Sequence, residues 1–161
     1  MRWSGLAVRD ASTLKRDDLS FNSERDIYRI IRKRTKTGTD LCIPVPRDVA
    51  EELIAVLNGN PVYVFWDRQT STSSEVHHSN KMGLWVSNAF DRAGIVRKCQ
   101  MVSHRLRATF AVDLLTKGVP LEHVSKLLGH KSVKTAEKHY AKWVKGRQDR
   151  LDALVSATWT K

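Results

Sequence analysis

The sequence predicts a mixed α/β domain that is mostly α-helical and carries one small antiparallel three-stranded sheet. Between residues 19 and 45 apolar residues alternate with polar ones, with two turns in between, a pattern typical of half-buried strands. After Pro46 they recur every three or four residues, and glycines stand at the predicted helix ends, which is typical of amphipathic helices. A chain of 161 residues is long enough for one domain with one core.

The first third of the chain predicts a short helix followed by the sheet. The stretch SGLAVRDASTL predicts the helix, and LSFNSERDIYRIIRKRTKTGTDLCIPVP predicts strand, turn, strand, turn, strand. Lys36 stands near the tip of the second hairpin, beside Gly38. A further helix follows Pro46 and ends before Asn58; its apolar face comprises Val49, Leu53, Val56 and Leu57.

The remainder of the chain predicts a loop and then only helices. Residues 67–80 are polar and rich in Ser and Thr, which indicates a surface loop. The five predicted helices span residues 81–93, 104–117, 120–128, 133–144 and 147–157, and Gly94, Gly118 and Gly129 end the first three. Ser103 is the predicted N-cap of the second of these helices. Its predicted buried stripe comprises Leu106, Phe110, Ala111, Leu114 and Leu115.

The chain is strongly basic, and the positive charge is clustered. It carries 28 Lys+Arg against 17 Asp+Glu, a formal net charge of +11 and a sequence pI near 10.0. Residues 97–150 alone hold 13 Lys/Arg and 4 Asp/Glu. Charge spread for solubility would be interspersed with acids, whereas clustered charge predicts a polyanionic partner, and duplex DNA is the first candidate.

Cysteine content and hydropathy bound the remaining classes of function. Cys42 and Cys99 have no paired spacing, so neither a disulfide framework nor a zinc site is predicted. No apolar run reaches the ~18 residues of a membrane-spanning helix, and the first ten residues lack a signal-peptide core. We therefore expect a protein of the reducing cytoplasm, without a membrane partner.

His104 and Arg107 are the first pair of residues for which the sequence predicts a chemical role. They are three residues apart at the start of a predicted helix, so they share one face near its positive dipole end. A guanidinium binds phosphate oxygens in a bidentate manner, and an imidazole exchanges protons near neutral pH. The pair therefore predicts a phosphate clamp, although the spacing alone equally fits a structural cap at His104.

Tyr140 closes the basic segment LLGHKSVKTAEKHY at residues 127–140. In one interpretation the segment is a helix-turn-helix DNA reader, with Lys134 and Lys138 in the major groove and Tyr140 in the core. In the other, Tyr140 is a nucleophile toward a phosphate held by the upstream pair. The basic hairpin at Lys36 is a second phosphate-seeking element and favours the catalytic interpretation.

Taken in order, these motifs resemble the tyrosine recombinase (phage integrase) family over nearly the full length of the chain. The matching residues are the hairpin lysine, HRLRATFA at residues 104–111, LLGH at 127–130 and the tyrosine shortly after. The resemblance implies the catalytic-domain fold of DNA breaking-rejoining enzymes and site-specific recombination or integration. It also implies that Tyr140 attacks a DNA phosphodiester to form a 3′-phosphotyrosyl link, with no cofactor and no metal.

The resemblance assigns roles to further residues as well. Arg107 and His104 would hold the non-bridging phosphate oxygens and help to move the tyrosine proton. His130 would donate another hydrogen bond to the phosphate, and Lys36 would protonate the leaving oxygen. Basic residues near these motifs are the candidate DNA contacts: Lys33, Arg34, Arg105, Lys131 and Lys134.

Ala7 is the main departure from the family pattern. Family members have an arginine in a motif like Gly-Leu-Arg-x-x-Glu/Asp, whereas this chain reads Gly5-Leu6-Ala7-Val8-Arg9-Asp10. Arg9 lies about 200° around a helix from position 7, and shifting the register to use it spoils the other matches. Loss of one preorganised transition-state donor predicts a rate lower by about 10²–10³-fold, so a cleavage-dead DNA-binding remnant stays open as an alternative.

Domain content and assembly are also expectations from the resemblance. Relatives carry an N-terminal domain that closes over DNA and usually one more helix before the arginine motif, so we expect residues 1–161 to be a catalytic domain lacking both. Relatives assemble as tetramers on DNA, so a homo-oligomer on DNA is expected. The resemblance also implies a bacterial or phage-encoded protein that works in the cytoplasm at the nucleoid. The C-terminal helix LDALVSATW is expected to dock on a neighbouring protomer or, alternatively, on its own core.

Overall fold

The computed structural model describes residues 1–56, 58–67, 74–95 and 102–159. A mostly helical chain surrounds one three-stranded sheet, as the sequence predicts. The elements in order are α1 Val8–Ser12, β1 Leu19–Asn22, β2 Ile27–Lys33, β3 Asp40–Val45, α2 Arg47–Ala55, α3 Glu75–Arg92, α4 Val102–Thr116, α5 Leu121–Leu127 and α6 Val133–Ala157.

The sheet is antiparallel with the strand order β1-β2-β3, which confirms the strand-turn-strand-turn-strand prediction. Ile30 in the central strand pairs with Ile43 on one side and Leu19 on the other. Along β3 every second residue is buried, beginning with Leu41. Side chains alternate between the faces of a strand, so this sheet packs one apolar face against the helices and exposes the other.

Helix α4 is central to the helical layer and packs against α3, α5 and α6. Its fully buried face runs from Arg107 through Ala111 to Leu115, with Phe110 beside it. Leu106 and Leu114, which the sequence placed in the same stripe, are only half-buried. The buried face is therefore rotated toward a charged residue, Arg107, which hydrophobic periodicity does not select.

Helix α3 begins at Glu75, so the prediction of a loop to residue 80 and a helix from residue 81 was wrong. The side chain of Ser74 accepts a hydrogen bond from the His77 backbone N–H at 3.3 Å and caps the helix. His78 and Met82 lie one turn apart on its buried face. A run of Ser and Thr offers several equivalent N-caps, so composition alone did not indicate which one starts the helix.

Helix α6 is continuous for 25 residues, so the prediction of two helices, at 133–144 and 147–157, was wrong. Gly146 lies in the interior of α6, and one interior glycine costs a helix only about 1 kcal/mol relative to alanine. Nothing else in that stretch stops a helix. Helix α6 is therefore one uninterrupted helix that extends from the centre of the domain to its C-terminal end.

Smaller differences concern helix ends. Ser103 lies inside α4, which starts at Val102, and is not its N-cap. Helix α2 ends at Ala55, before Asn58; Leu57 lies outside the described residues, as does Cys99. Cys42 is exposed and forms no disulfide. Of the helices in the described ranges, none is long and apolar enough to cross a membrane.

Candidate active site

A cleft opens where α4, the α5–α6 turn, α6 and the β2–β3 hairpin meet. It is open to solvent and has a volume of about 360 Å³. The lining residues are Arg34, His104, Arg107, Ala108, His130, Thr135, His139, Tyr140 and Trp143. Four side chains that the sequence predicts as catalytic, from three separate helices and turns, therefore lie around one space.

Tyr140 lies two turns into α6 and reaches the cleft from the core side. The helix starts after Ser132, whose side chain accepts from the Lys134 backbone N–H. Ala136 and Tyr140, four residues apart, are both buried on the face toward the core. Burial raises the pKa of the Tyr140 phenol, although the positive charge of Arg107 opposes that rise. The hydroxyl is neutral at neutral pH and makes no hydrogen bond with the described residues.

Arg107 is buried at one end of the cleft and joins three parts of the chain. Its Nη1 donates to the carbonyl oxygen of Gly5, and its Nη2 donates to the carbonyl oxygen of Leu128 at 2.6 Å. The same Nη2 lies 3.3 Å from His130 Nε2. Burial, and then the nearby charge of Arg34, lower the pKa of Arg107 to about 10. The guanidinium is therefore still a cation at neutral pH.

His104 lies one turn before Arg107 at the start of α4, and Lys36 lies near it on the hairpin turn. Partial burial lowers the pKa of the His104 imidazole, and the charges of Arg107 and Lys36 lower that pKa further. At neutral pH the ring is therefore mostly neutral and able to accept a proton. Lys36 is exposed and does not line the cleft itself, so the hairpin places its ammonium at the edge.

His130 follows the turn glycine, Gly129, and faces Arg107. Burial and the charges of Arg107 and Arg34 lower the pKa of His130 to about 4, so its ring is neutral. Its Nε2 lies toward the Arg107 guanidinium, which only donates, so this nitrogen is the acceptor. Its Nδ1 is buried and has no hydrogen-bond partner among the described residues. A hydrogen bond from His130 to a phosphate requires the ring to turn and stays a prediction.

Ala7 is the N-cap residue of α1 and is half-buried. Its methyl group is not among the cleft-lining side chains. Arg9 is exposed and forms an ion pair with Glu75 of α3 at 2.9 Å. It therefore lies on another side of α1, as its angular separation from position 7 predicts.

The candidate DNA contacts fall into two groups. Lys33, Lys131 and Lys134 are exposed, and Arg105 is half-buried with its guanidinium 5.6 Å from the Phe90 ring centroid. The fifth candidate, Arg34, lies inside the cleft.

Within the described ranges, no group of three or more His, Cys, Asp or Glu side chains is placed to hold a metal ion.

Over residues 1–146 the sequence matches the phage integrase family. The chain belongs to the phage integrase family. Among curated relatives, the tyrosine recombinase XerA of Thermococcus kodakarensis is 28% identical over 137 residues, which is 83% of this chain and 45% of that protein. The chain therefore spans less than half the length of this relative.

Solved phage integrase structures share the fold. The catalytic domain of bacteriophage HP1 integrase superposes with a TM-score of 0.65 at 20% identity, over 92% of this chain and 73% of that one. The XerH site-specific recombinase, in a post-cleavage complex with a palindromic difH substrate, gives a TM-score of 0.62 at 21% identity, over 99% and 44%. These matches confirm the predicted fold class.

Phage integrase motifs in the sequence did not indicate every residue of the cleft. His139 belongs to none of these motifs, yet it lines the cleft, as do Thr135 and Trp143 on the same helix. Trp143 lies one turn after Tyr140, with ring centroids 6.0 Å apart. Helical spacing from Tyr140 could therefore have predicted that Trp143 lines the cleft. Arg34 carried no such signal, because its direction depends on residues far away in the sequence.

Proposed function

We propose that this chain cleaves and rejoins DNA strands in site-specific recombination, through a covalent link between Tyr140 and a 3′-phosphate. The observation that carries the proposal is the placement of Tyr140. It is buried as a core residue would be, but it lines one cleft with two arginines and three histidines. A helix-turn-helix reader requires no such grouping around its tyrosine.

In the proposed step the Tyr140 hydroxyl oxygen attacks the phosphorus of a DNA phosphodiester. A bond from Tyr140 to phosphorus forms as the bond to the 5′ oxygen of the next nucleotide breaks. His104, which is mostly neutral, accepts the tyrosine proton, and the Lys36 ammonium supplies a proton to the leaving 5′ oxygen. A 5′-hydroxyl from another strand reverses the reaction, so one phosphodiester is exchanged for another and no energy source or cofactor is required.

Negative charge on the phosphate increases as the transition state forms, and the cleft places cations to meet it. Arg107 is held by the carbonyl oxygens of Gly5 and Leu128, so its guanidinium is oriented before substrate binds. Preorganised donors of this kind cost no rearrangement during the reaction and are often the largest catalytic contribution.

Duplex DNA is the proposed substrate. The net charge of +11 supports it, as do the exposed lysines Lys33, Lys131 and Lys134, each next in sequence to a cleft residue, because basic side chains bind backbone phosphates regardless of sequence. The DNA-bound XerH recombinase that shares this fold supports the same substrate. The proposed work on a genome implies the cytoplasm of a prokaryotic cell.

The alanine at position 7 favours a second candidate function, a DNA-binding protein that no longer cleaves. The sequence is one arginine short of the family motif at position 7, and that loss alone predicts a lower rate. Binding and cleavage are separable in one assay, since a cleavage-dead protein binds the duplex and forms no covalent product.

The testing experiment uses a pool of nicked duplexes with a randomised central segment, in which cleavage next to the nick releases a short fragment and cannot be reversed. We expect a protein–DNA adduct that survives denaturant with the wild-type chain and is absent with Tyr140→Phe. The variant removes one hydroxyl that makes no described hydrogen bond, so the fold and DNA binding should be retained. Binding without an adduct would support the second candidate function.

A further inference from the structure

Arg34 belongs to the hairpin turn but its side chain extends into the cleft. It follows β2 directly, and only 12% of its side chain is exposed. Its Nη1 donates to the carbonyl oxygen of Gly129 at 2.7 Å, and its Nε lies 3.8 Å from Asp10 Oδ2. The guanidinium therefore lies beside the turn that carries His130, on the same cleft as Tyr140.

Asp10 connects Arg34 to the turn of α1 that begins at position 7. Asp10, its carboxylate neighbour, lies three residues after Ala7, and residues three apart share one face of a helix. Asp10 is 2% exposed, and its Oδ1 also accepts from the Thr35 backbone N–H at 2.8 Å. Two contacts from the hairpin thus fix Arg34 over the first turn of α1, the turn that begins at Ala7.

The two cleft arginines differ in how many of their donors are engaged. Arg107 uses Nη1 and Nη2 for Gly5, Leu128 and His130. Arg34 has only Nη1 in a hydrogen bond; its Nε is buried without a hydrogen-bond partner, and its Nη2 makes no hydrogen bond within the described residues. A buried guanidinium with spare donors beside another cation is a costly arrangement that an incoming anion would relieve.

The charges within the cleft agree with this arrangement. Arg34 lowers the pKa of both Arg107 and His130, so its charge acts on the groups that surround the expected phosphate position. Asp10 offsets only part of that charge, because its carboxylate is 3.8 Å from Nε and its other oxygen serves Thr35.

We propose that the guanidinium of Arg34 binds a non-bridging oxygen of the scissile phosphate opposite Arg107, and so makes the contact that an alanine at position 7 cannot make. The inference rests on the proposed cleavage function. The loss of the arginine at position 7 leaves Arg107 as the one arginine predicted to clamp the phosphate, and Arg34 would be the second. Arg9, the nearest arginine in sequence to position 7, is engaged with Glu75 instead.

The first test compares single-turnover adduct formation on the most reactive duplex from the randomised pool. Arg34→Gln keeps the stem and loses the charge, and we expect the rate to fall about 10²-fold. Adding Ala7→Arg to that variant should restore at least about tenfold of the rate. Arg9→Gln is the matched control and should stay within about threefold of wild type, since it removes an exposed ion pair.

A second substrate separates phosphate contact from a purely structural role. When a neutral methylphosphonate replaces the scissile phosphate, one non-bridging oxygen and the negative charge are gone. If Arg34 contacts that charge, the gap between wild type and Arg34→Gln should shrink at least about tenfold on this substrate. Equal slowing on both substrates, with no rescue by Ala7→Arg, would show that Arg34 only supports the fold.

Ala7→Arg alone tests the inference without disturbing Arg34. An unclamped phosphate predicts a gain of about 10²–10³-fold, whereas a phosphate already held by Arg34 predicts less than about tenfold. Thermal unfolding and DNA-binding titrations accompany every variant. A wild-type chain that forms no Tyr140-dependent adduct contradicts the proposed function, while a wild-type adduct that is insensitive to Arg34→Gln contradicts only the role of Arg34.

Discussion

Arg107 illustrates how one side chain serves both the fold and the cleft. Its bonds to Gly5 and Leu128 connect α4 to the segment before α1 and to the turn before α6. These backbone carbonyls accept hydrogen bonds from guanidinium N–H groups that would otherwise be free to bind a substrate phosphate. A side chain held this firmly is well oriented but has few free N–H groups, which is why a second guanidinium matters.

His104 leads to a prediction about pH. Its pKa lies below the ordinary 6.5, because partial burial and the charges of Arg107 and Lys36 disfavour the imidazolium. As a proton acceptor it must be neutral, so the cleavage rate should fall in acidic solution, as pH passes downward through a pKa that lies below 6.5. Single-turnover adduct formation at fixed ionic strength measures this.

His104→Gln is the control for that profile. Glutamine cannot titrate, so the variant should be slower throughout and should lose the acidic fall. An unchanged acidic fall in the variant would assign that fall to another group and would remove the proton-acceptor role from His104.

At the residue scale, the order of the motifs predicted which residues share one site, while their catalytic roles stay predictions. Tyr140, Arg107, His104 and His130 were predicted to act together, and they line one cleft. Arg34 was predicted only as an outer DNA contact. The direction of its side chain depends on Gly129 and Asp10, which are 95 and 24 positions away along the sequence, and no local pattern encodes such contacts.

The α5–α6 turn determines where His130 and Arg34 lie. Gly129 has φ +65°, and a Cβ there would approach Arg34 Cδ and Leu41 Cδ2 to 2.8 Å each. We expect Gly129→Ala to lower the free energy of unfolding by about 2–4 kcal/mol, from backbone strain plus the clash. It should also slow adduct formation, since Arg34 must move.

Gly38→Ala is the matched control, because Gly38 has φ +67° but a Cβ added there would meet no heavy atom within 4 Å. Its free energy of unfolding should fall by only about 1 kcal/mol, which is the cost of a left-handed backbone conformation at a residue other than glycine. Urea denaturation of both variants measures the difference. Equal losses would mean that the turn does not hold Arg34 and Leu41 as tightly as the structure indicates.

At the element scale, the sheet was predictable because alternation is a direct consequence of strand geometry. Helix ends at Gly94, Gly118 and Gly129 were predictable because each glycine adopts positive φ. The start of α3 and the continuity of α6 were not. The first depended on which Ser caps the helix, and the second on a weak breaker, Gly146, that helix propagation overcomes.

At the scale of the whole molecule, the C-terminal part of α6 is largely exposed to solvent. Its large apolar residues are exposed: Leu151 by 40%, Leu154 by 60%, Val155 by 49% and, just after the helix, Trp159 by 74%. The alternative of docking on its own core is therefore not what the structure shows. A palindromic duplex has two identical half-sites, so two copies of a protein that binds it are brought together by symmetry.

We propose that this part of α6 docks on a second copy of the chain on DNA. A chain that ends at residue 146 keeps Tyr140 and the cleft, so it should bind a duplex with two sites but yield only one-protein complexes by gel filtration and light scattering. Leu154→Glu in the full chain should do the same. Unchanged assembly in both would contradict the docking proposal and leave the cleavage proposal intact.

The identity of the linked residue and the polarity of the link test the central claim most directly. The adduct is digested with trypsin and nuclease, and the peptide His139-Tyr140-Ala141-Lys142 is examined by mass spectrometry. We predict a nucleotide joined through its 3′-phosphate to Tyr140, and a released strand whose free 5′-hydroxyl a polynucleotide kinase can label. A nucleotide on any other residue, or a 5′-phosphate on the released strand, would contradict the account.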